Sequence, residues 1–181
     1  YASRGTYATI FSSKHGIRKM SVDYFRYGFS MKRFQPIGET VVLAVRSHAS
    51  FVGGGLVPPS RYSYFGYEER IRGRFRTVEE GEHLVGGNLE IRIPLLRPMY
   101  IELPHDFIPE FSVWRFGVNA AVFADAGKTW YRTEQFADRR WLSGAGMGIH
   151  FILPYSIVAR AEWAVAPRGR GEFILDLGAS F

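Results

Sequence analysis

The last stretch of the chain constrains the fold more than any other. Phe173, Leu175, Leu177, Ala179 and Phe181 fall on one face of a period-two pattern, while Glu172, Asp176, Gly178 and Ser180 fall on the other with only Ile174 apolar. Successive side chains alternate across a strand, so this spacing gives a strand with one apolar face and leaves no helical stripe. The run before it repeats the pattern, Ile157, Ala159, Ala161, Trp163 and Val165 opposing Val158, Arg160, Glu162 and Ala164. Pro167-Arg168-Gly169-Arg170-Gly171 supplies the turn of the hairpin.

The same signature recurs upstream. Ala145, Met147, Ile149, Phe151 and Leu153 oppose Gly144, Gly146, Gly148 and His150, and Val118, Ala120, Val122, Ala124 and Ala126 oppose Asn119, Ala121, Phe123 and Asp125. Leu89, Ile91, Ile93 and Leu95 oppose Asn88, Glu90 and Arg92. Phe25, Tyr27, Phe29 and Met31 oppose Arg26, Gly28, Ser30 and Lys32, and Val41, Leu43, Val45, Ala49 and Phe51 oppose Arg46, His48 and Ser50. With a first strand over about Gly5–Ser13, this predicts an all-β chain of about eight strands. No segment of more than about ten residues carries a helical period.

Alternation alone fits a soluble sandwich or a transmembrane antiparallel β-barrel. Three details favour the barrel. Charge and Gly keep to one face in nearly every strand. Strands of about ten residues suit a tilted crossing of a bilayer. Trp114, Trp130, Tyr131, Trp141, Tyr155 and Phe181 sit near strand ends, where aromatic girdles form. Turn lengths also alternate: Pro36–Glu39 and Pro154–Ser156 are tight, Val52–Gly86 and Tyr131–Arg140 long, as expected for short periplasmic turns and longer surface loops.

Arg72-Gly73, in Ile71-Arg72-Gly73-Arg74-Phe75, lies in the long loop over about residues 52–86, and the two strands after it each carry an inward carboxylate, Glu90 and Asp125. A solvated basic loop needs no acidic partners on strand faces. The conjunction predicts a loop folded into a lumen and latched there through Arg72, whose guanidinium fork suits carboxylates, with Gly73 permitting a close backbone approach. The interior of an eight-stranded barrel is just filled by its own side chains. A loop of this bulk therefore predicts a parent barrel with more strands. The chain opens Tyr1-Ala2-Ser3-Arg4 without an initiator Met or a signal peptide, which also reads as a piece of something larger.

Other chemistries find little support. The net charge of +6 is spread over strands and loops without one basic stripe, so no nucleic-acid partner is expected. The absence of cysteine excludes a disulfide framework and thiolate metal sites. The five histidines show no metal-ligand spacing, and His48 and His150 read as inward polar residues. Gly144-Ala145-Gly146-Met147-Gly148 lies within a strand and lacks the helix a phosphate-binding loop needs. No Ser-His-Asp set is defensible, and neither an enzyme nor a cofactor is expected.

Four motifs, in order, resemble the outer-membrane assembly and translocation barrels typified by BamA and TamA. Phe65-Gly66-Tyr67-Glu68-Glu69-Arg70-Ile71-Arg72-Gly73-Arg74-Phe75 resembles the family's Gly-Gly-x-x-x-Val-Arg-Gly-Tyr/Phe loop, with Tyr67 in place of the second Gly and Arg74 ahead of Phe75. Gly87–Leu95 resembles the strand after that loop, and Val122–Trp130 is similar to the family's Phe-x-Asp-Ala-Gly-x-x-Trp strand. Phe173–Phe181 is similar to its C-terminal targeting strand, Gly178 lying three residues before the final aromatic.

The resemblance covers roughly residues 5–181. It implies the C-terminal half of a barrel of about sixteen strands in the bacterial outer membrane. Arg72, Gly73, Phe75, Glu90 and Asp125 would form the lumen latch. Phe173, Leu175, Leu177, Gly178 and Phe181 would form a targeting strand and a weak seam, open to β-augmentation by an incoming strand. The implied function is an assembly factor that folds and inserts β-barrel proteins. Its implied partners are the bilayer, unfolded barrel clients, periplasmic polypeptide-binding domains N-terminal in the parent chain, and accessory assembly proteins. A polypeptide secretion pore, or the anchor barrel of a patatin-like lipase, are the alternatives.

Overall fold

The computed structural model describes residues 2–16, 22–66, 69–102, 113–167 and 169–179. Ten strands follow in chain order: β1 Gly5–Gly16, β2 Asp23–Ile37, β3 Val41–Gly54, β4 Ser63–Phe65, β5 Glu79–Gly81, β6 His83–Glu102, β7 Val113–Trp130, β8 Leu142–Leu153, β9 Ile157–Val165 and β10 Glu172–Ala179. Eight of them make one antiparallel sheet in the order β1-β2-β3-β6-β7-β8-β9-β10. The fold is thus all-β with the eight main strands that the alternation predicts. The sheet is open, its edges being β1 and β10.

The long loop is not wholly irregular. Within residues 55–82 lie β4 and β5, which pair only with each other. Among the described residues no helix is long and apolar enough to cross a membrane, which says nothing of crossing by strands.

Register places whole rows of like residues side by side. On one face Leu43, Ile91, Val122, Met147, Trp163 and Phe173 are successive cross-strand neighbours from β3 to β10. A parallel row runs through Ile93, Ala120, Ile149, Ala161 and Leu175. This face is left uncovered: Met147 is 64% and Leu175 74% exposed. The opposite face is the polar one, yet it is where burial occurs. His48, Glu90, Asn119, Asp125, His150 and Glu162 are all buried there. The arrangement inverts the soluble pattern, in which charged groups are the last to be buried and a large exposed apolar surface is exceptional.

The loop covers the polar face and provides its apolar packing. Phe65 and Ile71 from the loop meet Leu84 and Leu142 in one cluster. Phe75 packs against a second, formed by Phe123, Ala164 and Ile174. Glycine makes the approach possible: a Cβ on Gly127 would lie 2.3 Å from the Phe65 ring, and one on Gly86, its cross-strand neighbour, 3.0 Å from it.

Candidate functional site: a buried arginine latch

Three lateral rows on the polar face build the site. Glu90 on β6 stands beside Phe123 on β7, which stands beside Gly146 on β8. One row away Asn88, Asp125 and Gly144 are neighbours, and on the other side Arg92, Ala121, Gly148 and Glu162. β8 therefore contributes three glycines, whereas β6, β7 and β9 each contribute a carboxylate, Glu90, Asp125 and Glu162. The bare strip admits loop backbone and neighbouring side chains. A Cβ at Gly144 would fall 1.9 Å from the Arg72 carbonyl oxygen, one at Gly146 2.7 Å from the Phe123 ring, and one at Gly148 2.7 Å from Glu162 Cγ.

Arg72 enters over this strip. Its Nε and Nη2 each donate at 2.8 Å to the two oxygens of Asp125, whose side chain is fully buried, and its backbone N–H donates to the same carboxylate at 3.1 Å. Its Nη1 donates to Glu90 at 2.9 Å and to Glu162 at 3.1 Å. The guanidinium carbon sits 3.5 Å from the centroid of the Phe123 ring, a cation–π contact inside the same shell. Burial alone lowers the pKa of a guanidinium. Here the hydrogen bonds and charge of Asp125, with the charges of Glu162 and Glu90, outweigh it and raise the pKa of Arg72.

One guanidinium thus joins β6, β7 and β9. β6 and β9 are three strand spacings apart, roughly 14 Å on a flat sheet. That Glu90 and Glu162 share one Nη1 means the sheet curves toward its polar face. The bidentate Asp125 contact fixes the orientation of the fork, and charge-assisted bonds of this kind are the strong ones.

Arg72, Glu90 and Asp125, singled out from the sequence, are in direct contact in this geometry. Gly73 has φ +87°, and a Cβ there would lie 2.8 Å from the backbone carbon of Val165, so it seats the loop against the end of β9. Phe75 follows, its N–H donating to Glu172 Oε2 at 2.9 Å, with the Arg70 guanidinium 5.2 Å from its ring centroid. Phe173, Leu175, Leu177 and Gly178 lie apart from the latch on edge strand β10, the three apolar residues being among the more exposed of the chain. Phe181 lies outside the described residues, as do Tyr67 and Glu68.

Sequence reasoning missed Glu162 as a latch residue. It also missed two supports: Arg92, donating to Glu90 at 2.6 Å, and His150, fully buried with Nε2 2.9 Å from Glu162 Oε1. The one available signal was their place on the charged face of the alternation. Glu90, His150 and Glu162 bring ligand atoms within 4.8 Å of one another, a spacing that suits a cation. The Arg72 guanidinium already lies between the two carboxylates and takes that role. The arrangement carries no nucleophile with a base. Its chemistry is that of an ionic lock between a loop and a curved sheet.

No protein-family model matches the chain, and no curated protein matches it.

Proposed function

We propose that the chain is the C-terminal part of an outer-membrane β-barrel that folds and inserts other barrel proteins, the reading its motifs suggest. One observation carries the proposal: rows of apolar side chains lie uncovered on one face while a complete ionic lock is buried on the other. Lipid on the apolar side and a loop-filled lumen on the polar side account for both faces at once. Strand length is compatible, since β2, β7 and β6 run for 15, 18 and 20 residues, beyond the roughly ten a tilted crossing needs. The open edges β1 and β10 leave backbone groups that further strands of a wider barrel would satisfy.

In this reading the insertase uses no nucleotide and no covalent chemistry. The latch holds the loop in the lumen and keeps the wall curved, and β10 offers an edge with which an incoming strand can pair. The test is reconstitution of the full-length protein in liposomes, followed by the rate at which a urea-unfolded outer-membrane barrel folds into them. Faster folding than in protein-free liposomes, lost in an Arg72→Ala variant, is expected. No acceleration by the native protein sinks the proposal.

A further inference from the structure

Three residues before Arg72, the loop carries a charge of the opposite sign to a different strand. Glu69 accepts a hydrogen bond from Arg46 Nη2 at 2.5 Å and lies 3.4 Å from His48 Nε2, both on β3. Arg46 and His48 occupy the polar face two positions apart. His48 is buried beneath the loop, its ring edge-on to Phe65 with the centroids 6.2 Å apart and neither ring nitrogen hydrogen-bonded. Glu69 is the anion that faces it, with the Arg46 cation alongside. The backbone at Glu69 is itself held, its carbonyl accepting from the Gly66 N–H at 2.8 Å, where Gly66 has φ +121°. Between the two charges Ile71 is buried in the cluster with Phe65, Leu84 and Leu142.

We propose that Glu69 is a second positioning residue of the loop, and that Glu69 and Arg72 together form a polarity key. The wall offers the Arg46 cation on β3 and the anions Glu90, Asp125 and Glu162 on β6, β7 and β9. The loop answers with the anion Glu69 and then the cation Arg72, with the buried Ile71 and Arg70, whose guanidinium lies over the Phe75 ring, between them. Seating the loop in the opposite sense puts Glu69 among Glu90, Asp125 and Glu162, and Arg72 against Arg46. Like charges brought together in this way discriminate against the wrong arrangement as effectively as matched charges favour the right one. The anchors also divide the labour of holding the loop, Glu69 on the β3 side and Arg72 on the β9 side. The inference concerns how the loop is seated and stands whether or not the protein inserts clients.

The test is charge reversal in the full-length protein in native membranes, read by hydrogen exchange of residues 55–82. Arg46→Glu and Glu69→Arg, each alone, are expected to raise exchange in that segment about fivefold, the scale of a partly exposed ion pair. The double variant is expected to return it to near the native level. The neutral variants Glu69→Gln and Arg46→Gln carry the test where a reversed charge prevents folding, and the same non-additivity is expected of them. A double variant no better protected than the sum of its singles overturns the proposal, as do singles that exchange like the native protein.

Discussion

The carbonyl oxygen of Arg72 rests on the bare backbone of Gly144, so close that a Cβ there would lie 1.9 Å away. The loop and β8 are thus in contact at a point no side chain can occupy. Gly144→Ala is expected to push the Arg72 backbone away from Asp125, at a cost of about 1–3 kcal/mol in stability. Gly178→Ala is the control, since a Cβ there would meet nothing nearer than Arg160 Nη1 at 3.5 Å, an ordinary van der Waals contact. Thermal unfolding in detergent should lower the transition for the first variant and leave the second near native.

The two-oxygen contact of Arg72 with Asp125 predicts that charge alone will not serve. Lysine keeps the charge and loses the planar fork. Arg72→Lys is expected to cost at least half as much as Arg72→Ala, which removes one partner from a buried cluster and should cost about 3–5 kcal/mol. A cycle of Arg72→Ala, Asp125→Asn and the double variant should show strong coupling. Additive unfolding free energies would contradict a shared lock.

Glu82 and Arg132 clamp the mouth of the sheet. Arg132 Nε and its backbone N–H donate to the two oxygens of Glu82 at 3.0 and 2.8 Å, while its Nη1 and Nη2 reach the carbonyls of Gly54 and Gly55. Burial would push the Glu82 carboxyl up, but Arg132 outweighs it and holds the pKa below the usual carboxylate range. A carboxyl depressed in the folded state contributes stability that is complete above its unfolded value of about 4.3 and lost as pH falls through its folded value. Exchange protection of residues 131–140 should therefore decline on acidification below about pH 4. Glu82→Gln should flatten that decline and lower protection at neutral pH.

Period two made the two faces legible from sequence, because one residue's shift in register would have moved every Leu and Ile to the charged side. It also placed Glu90 and Asp125 inward, and Arg72 in a loop with reason to meet them. Glu162 stayed hidden among several charges of the same face, since its role depends on β8 being glycine where Arg72 crosses it. The length of β6 was hidden too: Pro94 and Pro98 interrupt the pattern, and the strand continues to Glu102 through register shifts near Pro94 and beyond Leu96. Proline is tolerated at such irregularities because the ladder is already broken there. β4 and β5 are three residues each, too short for any alternation to mark them.

Whether the apolar rows face lipid decides the whole account, and these 181 residues contain no cysteine to compete with an introduced one. In a full-length protein otherwise freed of cysteine, Met147→Cys, Ile149→Cys and Leu175→Cys each place a sole thiol on the uncovered face, while Lys32→Cys places one beside the cavity of about 550 Å³ next to the latch. With the full-length protein in native membranes, a membrane-impermeant maleimide should label Lys32→Cys and leave the other three unlabelled until the protein is denatured. Labelling of Met147→Cys, Ile149→Cys and Leu175→Cys in intact membranes at the rate of the unfolded chain would contradict it.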